Sequence, residues 1–197
     1  MKKLITIVLV SFLAINTTFA QVEQGTVILG ATTELSNSAW SQVAMEPSIG
    51  YFISDQMAIG LGFSLGSTSQ DTEFDNGTDT WTETNSTNGM TIGPWVRFYM
   101  SEMFFINAGV EIGSGSTKWS TTLSGADPSS TNDKTASFGL DVGAGASILW
   151  GDHIAFEPMF GLEMGSSSST PDGGDKTKGP STMNVGFKIG VCVMLGN

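Results

Sequence analysis

The segment Met57-Ala-Ile-Gly-Leu-Gly-Phe-Ser-Leu-Gly66 alternates strictly between two kinds of side chain. Every odd position is large and apolar, and every even position is alanine, glycine or serine. Because successive side chains of a β-strand point to opposite faces of a sheet, this pattern predicts a strand with one apolar face and one small or polar face.

The same alternation recurs along the rest of the chain. Near the C-terminus, seven large apolar side chains share one face: Met183, Val185, Phe187, Ile189, Val191, Val193 and Leu195. Six further segments follow a similar pattern, near residues 25–34, 44–53, 89–100, 103–118, 136–150 and 153–166. The sequence therefore predicts eight strands.

Short and long connections alternate between these segments. Ser54-Asp55, Ser101-Glu102 and Gly151-Asp152 are predicted as tight turns. Polar stretches rich in Ser, Thr, Asn, Asp and Gly are predicted as long loops over residues 35–43, 70–88, 119–135 and 167–181. This alternation is typical of transmembrane barrels, which have short periplasmic turns and longer extracellular loops. We therefore predict an all-β fold, an eight-stranded antiparallel transmembrane β-barrel.

The direction of the alternation distinguishes a membrane barrel from a soluble one. A soluble barrel holds its large apolar side chains inside and presents polar ones to water. Here the face opposite the apolar side chains is mostly Gly, Ala and Ser, which suits a narrow interior. The membrane barrel is the preferred interpretation, and a secreted soluble β-barrel that binds an apolar ligand is the alternative.

Strand parity also predicts a polar network in the lumen. Seven charged side chains are expected to point inward: Glu46, Arg97, Glu111, Asp141, Glu157, Glu163 and Lys188. Charges in such a lumen are tolerable when they pair or stay hydrated. Their acidic excess supports a second functional hypothesis, a narrow passive pore for small cations. The alternative for these residues is ordinary surface charge on a soluble sandwich.

Aromatic residues cluster near the predicted strand ends. Eight lie close to the short turns: Tyr51, Phe52, Phe98, Tyr99, Phe104, Phe105, Trp150 and Phe156. Trp40 and Trp119 lie near the opposite ends. We expect two aromatic girdles at the membrane interfaces. Pro47, Pro94 and Pro158 fall within predicted strands, where proline removes a ladder hydrogen bond, so we expect local bulges or offset pairing there.

The N-terminal segment has the features of a secretory signal peptide. Lys2-Lys3 precedes the largely apolar run 4–13, and the segment closes with Thr18-Phe19-Ala20. We predict that residues 1–20 are cleaved and that residues 21–197 form the barrel domain. Loss of the two lysines changes the formal net charge from -11 to -13. Such acidity argues against nucleic acid as a partner, since binding it requires Lys and Arg.

Candidate residues for chemistry are few. His153 is the sole histidine of the sequence and adjoins a predicted short turn, and Cys192 is the sole cysteine. The stretch 71–83 holds five acids, but its spacing does not match a calcium-binding loop. We therefore predict no catalytic residue, no cofactor and no metal site.

The stretch Pro47-Ser-Ile-Gly-Tyr-Phe-Ile-Ser-Asp-Gln-Met-Ala-Ile-Gly-Leu-Gly62, followed by Gly93-Pro-Trp-Val-Arg-Phe-Tyr99, resembles small outer-membrane β-barrels of the OmpX/OmpA type, as found in Bacteroidetes-like bacteria. The resemblance implies an outer-membrane location, contact with outer-membrane lipids and insertion by the outer-membrane assembly machinery. Such proteins commonly end in an aromatic residue, whereas this sequence ends Met194-Leu-Gly-Asn197. We expect a monomeric, non-enzymatic protein with a structural or surface-interaction role, whose loops contact an extracellular ligand.

Overall fold

A computed structural model describes residues 23–34, 46–123, 129–151 and 153–196. The predicted signal peptide, the polar stretch 35–43 and Trp40 lie outside these ranges. Nine strand segments are present in the described residues: β1 (Val27–Glu34), β2 (Glu46–Ser54), β3 (Met57–Asp75), β4 (Thr80–Tyr99), β5 (Phe104–Leu123), β6 (Ser129–Ala146), β7 (Ile148–Trp150), β8 (Ile154–Thr170) and β9 (Thr177–Leu195). Among the described residues, no helix is long and apolar enough to span a bilayer.

The nine segments form one closed barrel of eight antiparallel strands. Each of β1 to β5 pairs with the next strand, β8 pairs with β9, and β9 pairs with β1. The ring closes where β6 pairs with β8. The short β7 continues β6 beyond Ser147 and pairs with β8 in the same register, so the two segments occupy one position in the barrel.

The outer surface carries the apolar half of each alternation. On β3, Ile59, Leu61, Phe63 and Leu65 are between 46% and 75% exposed, whereas the neighbouring Ala58 is fully buried. The stretch 57–65 has nine residues, close to the 9–11 that a tilted strand needs to cross a bilayer. A soluble barrel with an apolar ligand inside requires the opposite arrangement. The exposed apolar band is suited to lipid, so the soluble-barrel alternative is wrong.

Three of the polar stretches predicted as loops, 70–88, 119–135 and 167–181, are largely strand in the residues that the structure describes, and for them the prediction is wrong. Within 70–88, β3 and β4 remain paired without interruption to Asp75↔Thr80, so only residues 76–79 form the turn. The stretches 119–135 and 167–181 likewise contribute to β5, β6, β8 and β9. Cross-strand contacts between polar side chains accompany the extended ladder: the Ser67 hydroxyl donates to Asn88 Oδ1 at 2.7 Å, and the Ser69 and Ser86 hydroxyls lie 3.0 Å apart. The β3–β4 hairpin therefore projects beyond the apolar band as regular sheet, whereas the β8–β9 ladder shifts its register between Ser166 and Ser168.

The prolines do not produce the bulges expected of them. Pro47 pairs with Ala31 in an unshifted register. The β4–β5 ladder passes from Ile92↔Ile112 to Trp95↔Gly109 without a change of register, so bridges are missing around Pro94 but nothing is offset. Pro158 lies opposite the break between β6 and β7 and pairs in register with Ile189 of β9. The bonds on either side of each proline keep the strands aligned.

The aromatic residues near the short turns divide between the two faces of the barrel. Tyr51, Phe98, Phe104, Trp150 and Phe156 are at least 41% exposed and lie on the lipid side. Phe52, Tyr99 and Phe105 are at most 4% exposed and lie inside, so their assignment to the girdle is wrong. Adjacent strand residues point to opposite faces, and each neighbouring pair is therefore split. Trp119 shares its face with Glu111 by the same alternation and is not on the lipid side.

Trp95 explains why glycines are needed on part of the inner face. Its ring points inward over Gly50 and Gly60, and a Cβ on Gly60 would collide with the indole and with the carbonyl oxygen of Ile49. Gly66 lies on the same face of β3, but a Cβ there would meet nothing within 4 Å. Glycine at residue 60 therefore provides space for a large side chain in a narrow barrel.

Replacing Gly60 with alanine tests this packing. We expect Gly60→Ala to lower the free energy of unfolding by about 1–3 kcal/mol, the usual cost of overpacking a filled interior. The matched control Gly66→Ala should change it by less than about 0.5 kcal/mol. Urea unfolding of protein folded in phospholipid vesicles, followed by tryptophan fluorescence, measures both variants. Equal unfolding midpoints for the two would contradict the proposed packing of Trp95.

Candidate functional site

The barrel interior is filled by apolar side chains at the end with the short turns. Ile28, Phe52, Tyr99, Phe105 and Met194 are each at most 5% exposed there, and Ala58, Ala155, Met159 and Cys192 complete the cluster. The ring centroids of Phe52 and Tyr99 lie 5.3 Å apart, and those of Tyr99 and Phe105 lie 5.6 Å apart. We call this cluster the aromatic seal. It occupies the cross-section of the barrel at this end.

A buried ion pair adjoins the aromatic seal. Arg97 Nη1 donates to both carboxylate oxygens of Glu157, at 2.7 and 2.9 Å, and the two side chains are 11% and 7% exposed. The guanidinium carbon lies 4.1 Å from the centroid of the Phe105 ring, a cation–π arrangement. The Ser147 hydroxyl also donates to Glu157, at 3.2 Å. These contacts connect β4, β5, β8 and the β6–β7 break across the lumen.

A second ion pair joins β8 and β9. Lys188 Nζ contacts Glu163 Oε1, with side-chain exposures of 10% and 27%. Lys188 pairs in register with Met159 on one side and with Glu34 on the other. Its ammonium group therefore stays inside the barrel with a carboxylate beside it, as a buried charge requires.

The remaining predicted lumen residues surround a small cavity on the far side of the aromatic seal. Glu46, Glu111 and Asp141 line this cavity of about 100 Å³ together with Arg97 and Lys188. Asp141 Oδ2 accepts a hydrogen bond of 3.2 Å from the Asn107 amide. Glu163 lines an adjoining cavity of about 300 Å³ with Glu111 and Asp141. The seven side chains thus lie in one region of the interior, with a formal net charge of -3.

Sequence reasoning overlooked the neutral members of this region. Trp95, Tyr99, Asn107 and Ser147 all contact or line the charged set. The strand parity that predicts the inward charged residues also places Trp95, Tyr99 and Asn107 inside the barrel. Ser147 is different, because it lies at the break between β6 and β7, which no pattern in the sequence marks.

The other candidate residues have ordinary structural surroundings. His153 is exposed in the turn before β8, and its carbonyl oxygen accepts the Met194 amide at 2.7 Å. Cys192 is buried as a member of the aromatic seal. In the acidic hairpin, Asp75 accepts the Gly77 amide and Asn76 accepts those of Thr78 and Asp79, so these side chains stabilise the turn. Within the described residues, no group of three or more His, Cys, Asp or Glu side chains is arranged to hold a metal ion.

A closed antiparallel barrel with an apolar outside and a polar inside defines a transmembrane protein of the outer-membrane barrel class. The chain belongs to the outer membrane protein beta-barrel domain family, which matches residues 5–191. This match confirms the resemblance seen in the sequence, and it supports an outer-membrane location. No curated protein matches the sequence.

Several solved structures are similar to this chain in fold. The N-terminal β-barrel domain of Pseudomonas aeruginosa OprF has 13% identity and a TM-score of 0.39, and the alignment covers 87% of this chain and 98% of that one. Ail, the attachment invasion locus protein of Yersinia pestis, has 10% identity and a TM-score of 0.43, with 87% and 99% covered. Acinetobacter baumannii CarO2 has 8% identity and a TM-score of 0.46, with 88% and 100% covered.

The buried ion pair can be tested by removing one partner and then both. Arg97→Met leaves the Glu157 carboxylate buried without its cation, so we expect it to lower the free energy of unfolding by about 3–5 kcal/mol. The double variant Arg97→Met/Glu157→Gln should recover most of that loss, because no uncompensated charge remains. Urea unfolding in vesicles measures the effects, with Lys118→Met at an exposed position as the control. If the double variant is as unstable as Arg97→Met, the charge argument fails.

Proposed function

We propose that this protein has a structural and surface-interaction role in the outer membrane and catalyses no reaction. In this proposal residues 1–20 direct secretion and are removed, and residues 21–197 insert as a monomeric barrel with the help of the assembly machinery. The single observation that carries it is the continuation of the strands beyond the apolar band. The binding surface is then the exposed part of the hairpins.

The extended hairpins are suited to contact with an external partner. The last large apolar side chain on the lipid face of β3 is Leu65, and the β3–β4 ladder continues for ten further residues to Asp75. Ten residues correspond to roughly 30 Å of strand. A paired ladder of this length presents side chains in a preorganised arrangement, which lowers the entropic cost of binding compared with a flexible loop.

Passive conduction of small cations is the second candidate function. The observation that favours it is the net acidity of the lumen, where five carboxylates face two basic groups. The aromatic seal argues against conduction, because Phe52, Tyr99 and Phe105 are at most 4% exposed and fill the end of the lumen near the short turns. Structural and surface interaction is therefore the better supported function.

Cysteine labelling of intact cells tests location and orientation together. Thr78 is exposed at the tip of the β3–β4 hairpin, and Gln56 is exposed in the short turn before β3. We expect Thr78→Cys to react with a membrane-impermeant maleimide on intact cells. Gln56→Cys should react only after permeabilisation, because short turns face the periplasm. The native Cys192 is buried, so the labelling of the wild-type protein measures the background signal.

Two results would contradict the proposal. Labelling of Gln56→Cys but not of Thr78→Cys on intact cells would invert the orientation. Release of the wild-type protein by osmotic shock, without detergent, would exclude a membrane location altogether.

Planar-bilayer recording separates the two candidate functions. We expect the wild-type protein to give no discrete conductance steps. The double variant Tyr99→Ala/Phe105→Ala should give them, because it removes two rings of the aromatic seal. The control variant Phe98→Ala/Phe104→Ala truncates the adjacent lipid-facing rings and should behave like the wild type. Cation-selective steps from the wild-type protein that decrease with Glu111→Gln would instead establish the pore.

A further inference from the structure

The extensions of β3, β4 and β5 beyond the membrane have an inner face unlike the rest of the polar surface. By strand alternation this face continues the lumen-facing side of the barrel. Six of its side chains define what we call the aromatic face: Phe74, Trp81, Glu83, Asn85, Thr117 and Trp119. The register places Phe74 opposite Trp81, and Asn85 opposite Trp119.

The aromatic face exposes ring surface in a region otherwise rich in serine and threonine. The rings of Phe74 and Trp81 are stacked, with centroids 5.2 Å apart and an angle of 12° between the planes. Phe74 is 38% exposed and Trp119 is 49% exposed. Rings of this size gain considerably when a ligand covers them, and their flat faces suit an apolar surface of matching shape.

Hydrogen-bonding groups lie between and beside these rings. Trp81 Nε1 donates to Glu83 Oε1 at 3.3 Å, which orients the indole. The Oδ1 atom of Asn85 is buried and has no hydrogen-bond partner among the described residues. An unsatisfied buried acceptor costs about 1–3 kcal/mol, so a hydroxyl donor that reached it would be favoured. The Thr117 hydroxyl lies 3.4 Å from that of Thr87 and adds a further donor and acceptor.

The distribution of charge indicates a neutral ligand. Of the six residues of the aromatic face, Glu83 alone carries a charge. The acids Asp71, Glu73 and Asp75 occupy the alternate positions of β3, on the opposite face of the hairpin. A charged partner would therefore be recognised on the other side of the sheet, and hydrogen bonding and ring contact dominate on this one.

We propose that the aromatic face binds a neutral oligosaccharide. Sugar rings carry an apolar C–H face that packs on an aromatic ring and a rim of hydroxyl groups that bond to Asn85, Thr117 and Glu83. Trp81 and Asn85 are four residues apart on β4, so Trp119, which lies opposite Asn85, is about 13 Å along the strand from the Phe74–Trp81 stack. One monosaccharide cannot cover both, so the ligand spans several sugar units. This inference rests on the proposed function, because it requires the hairpin to lie outside the cell.

Isothermal titration calorimetry on the mature chain folded in detergent micelles tests the proposal. The probes are three neutral hexasaccharides, maltohexaose, cellohexaose and N-acetylchitohexaose, with a heparin-derived hexasaccharide as the charged comparison. We expect at least one neutral probe to bind with a Kd that is unchanged by added salt. Trp81→Ala and Trp119→Ala should each raise that Kd by about tenfold or more, since each removes a stacking ring.

Matched variants separate loss of a ring from loss of the fold. Trp150→Ala removes a tryptophan that is 83% exposed at the other end of the barrel and should leave the Kd unchanged. Trp119→Phe keeps an aromatic ring and should retain most of the affinity. Heat-modifiable migration on a detergent gel shows whether each variant is folded.

The outcomes distinguish this inference from the proposed function. Absence of binding by all three neutral probes overturns the inference, and so does binding that Trp81→Ala and Trp119→Ala leave intact. Binding of the sulfated probe alone, with loss at high salt, also overturns it. If Thr78→Cys is labelled on intact cells while the sugars fail to bind, the inference alone is wrong. If Thr78→Cys is not labelled, the proposed function itself fails.

Discussion

The fold depends on the need to pair every backbone N–H and C=O group within the hydrocarbon of a membrane. An open sheet would leave two edges unpaired in lipid, at a cost of several kcal/mol for each group. The β1–β9 ladder, from Val27↔Leu195 to Glu34↔Lys188, joins the first and last strands, and the β6–β8 ladder completes the ring. Closure gives every strand an inside and an outside, so the period-two alternation of the sequence becomes a lipid face and a lumen face.

A barrel of eight strands leaves little interior volume, and the lumen is organised by that limit. Where a large ring points inward, as Trp95 does, glycine must face it at residues 50 and 60. Near the short turns the rings themselves fill the space, and the Arg97–Glu157 pair adjoins them. Buried charges require partners, and the two basic groups are paired with Glu157 and Glu163. With the interior filled at one end, the hairpins that project into water are the surface available for interaction.

The sequence predicted the strands well where one face is apolar and poorly where both faces are polar. Segments such as 57–66 and 183–195 lie within β3 and β9, and parity correctly turned the large apolar side chains outward. The composition of the stretch 70–88 predicts a loop, because serine, threonine and asparagine are common in loops, but these residues are also common in strands that water surrounds. Only the uninterrupted β3–β4 pairing to Asp75 shows that this stretch is strand and not loop. Phe52, Tyr99 and Phe105 point inward whereas their neighbours point to lipid. This difference follows from strand parity alone, so the sequence is sufficient to predict it.

The sequence by itself determined the class of fold and the solvent that each face meets, because both follow from the periodicity of hydrophobic side chains along one chain. The tertiary structure decided which inward residues meet. Arg97 and Glu157 are 60 residues apart, and the stacking of Phe74 on Trp81 and the position of Trp119 opposite Asn85 depend on register. Register is set by hydrogen bonds between strands and by closure of the ring, and no single segment contains that information. The aromatic seal, the ion pairs and the aromatic face therefore belong to the folded barrel.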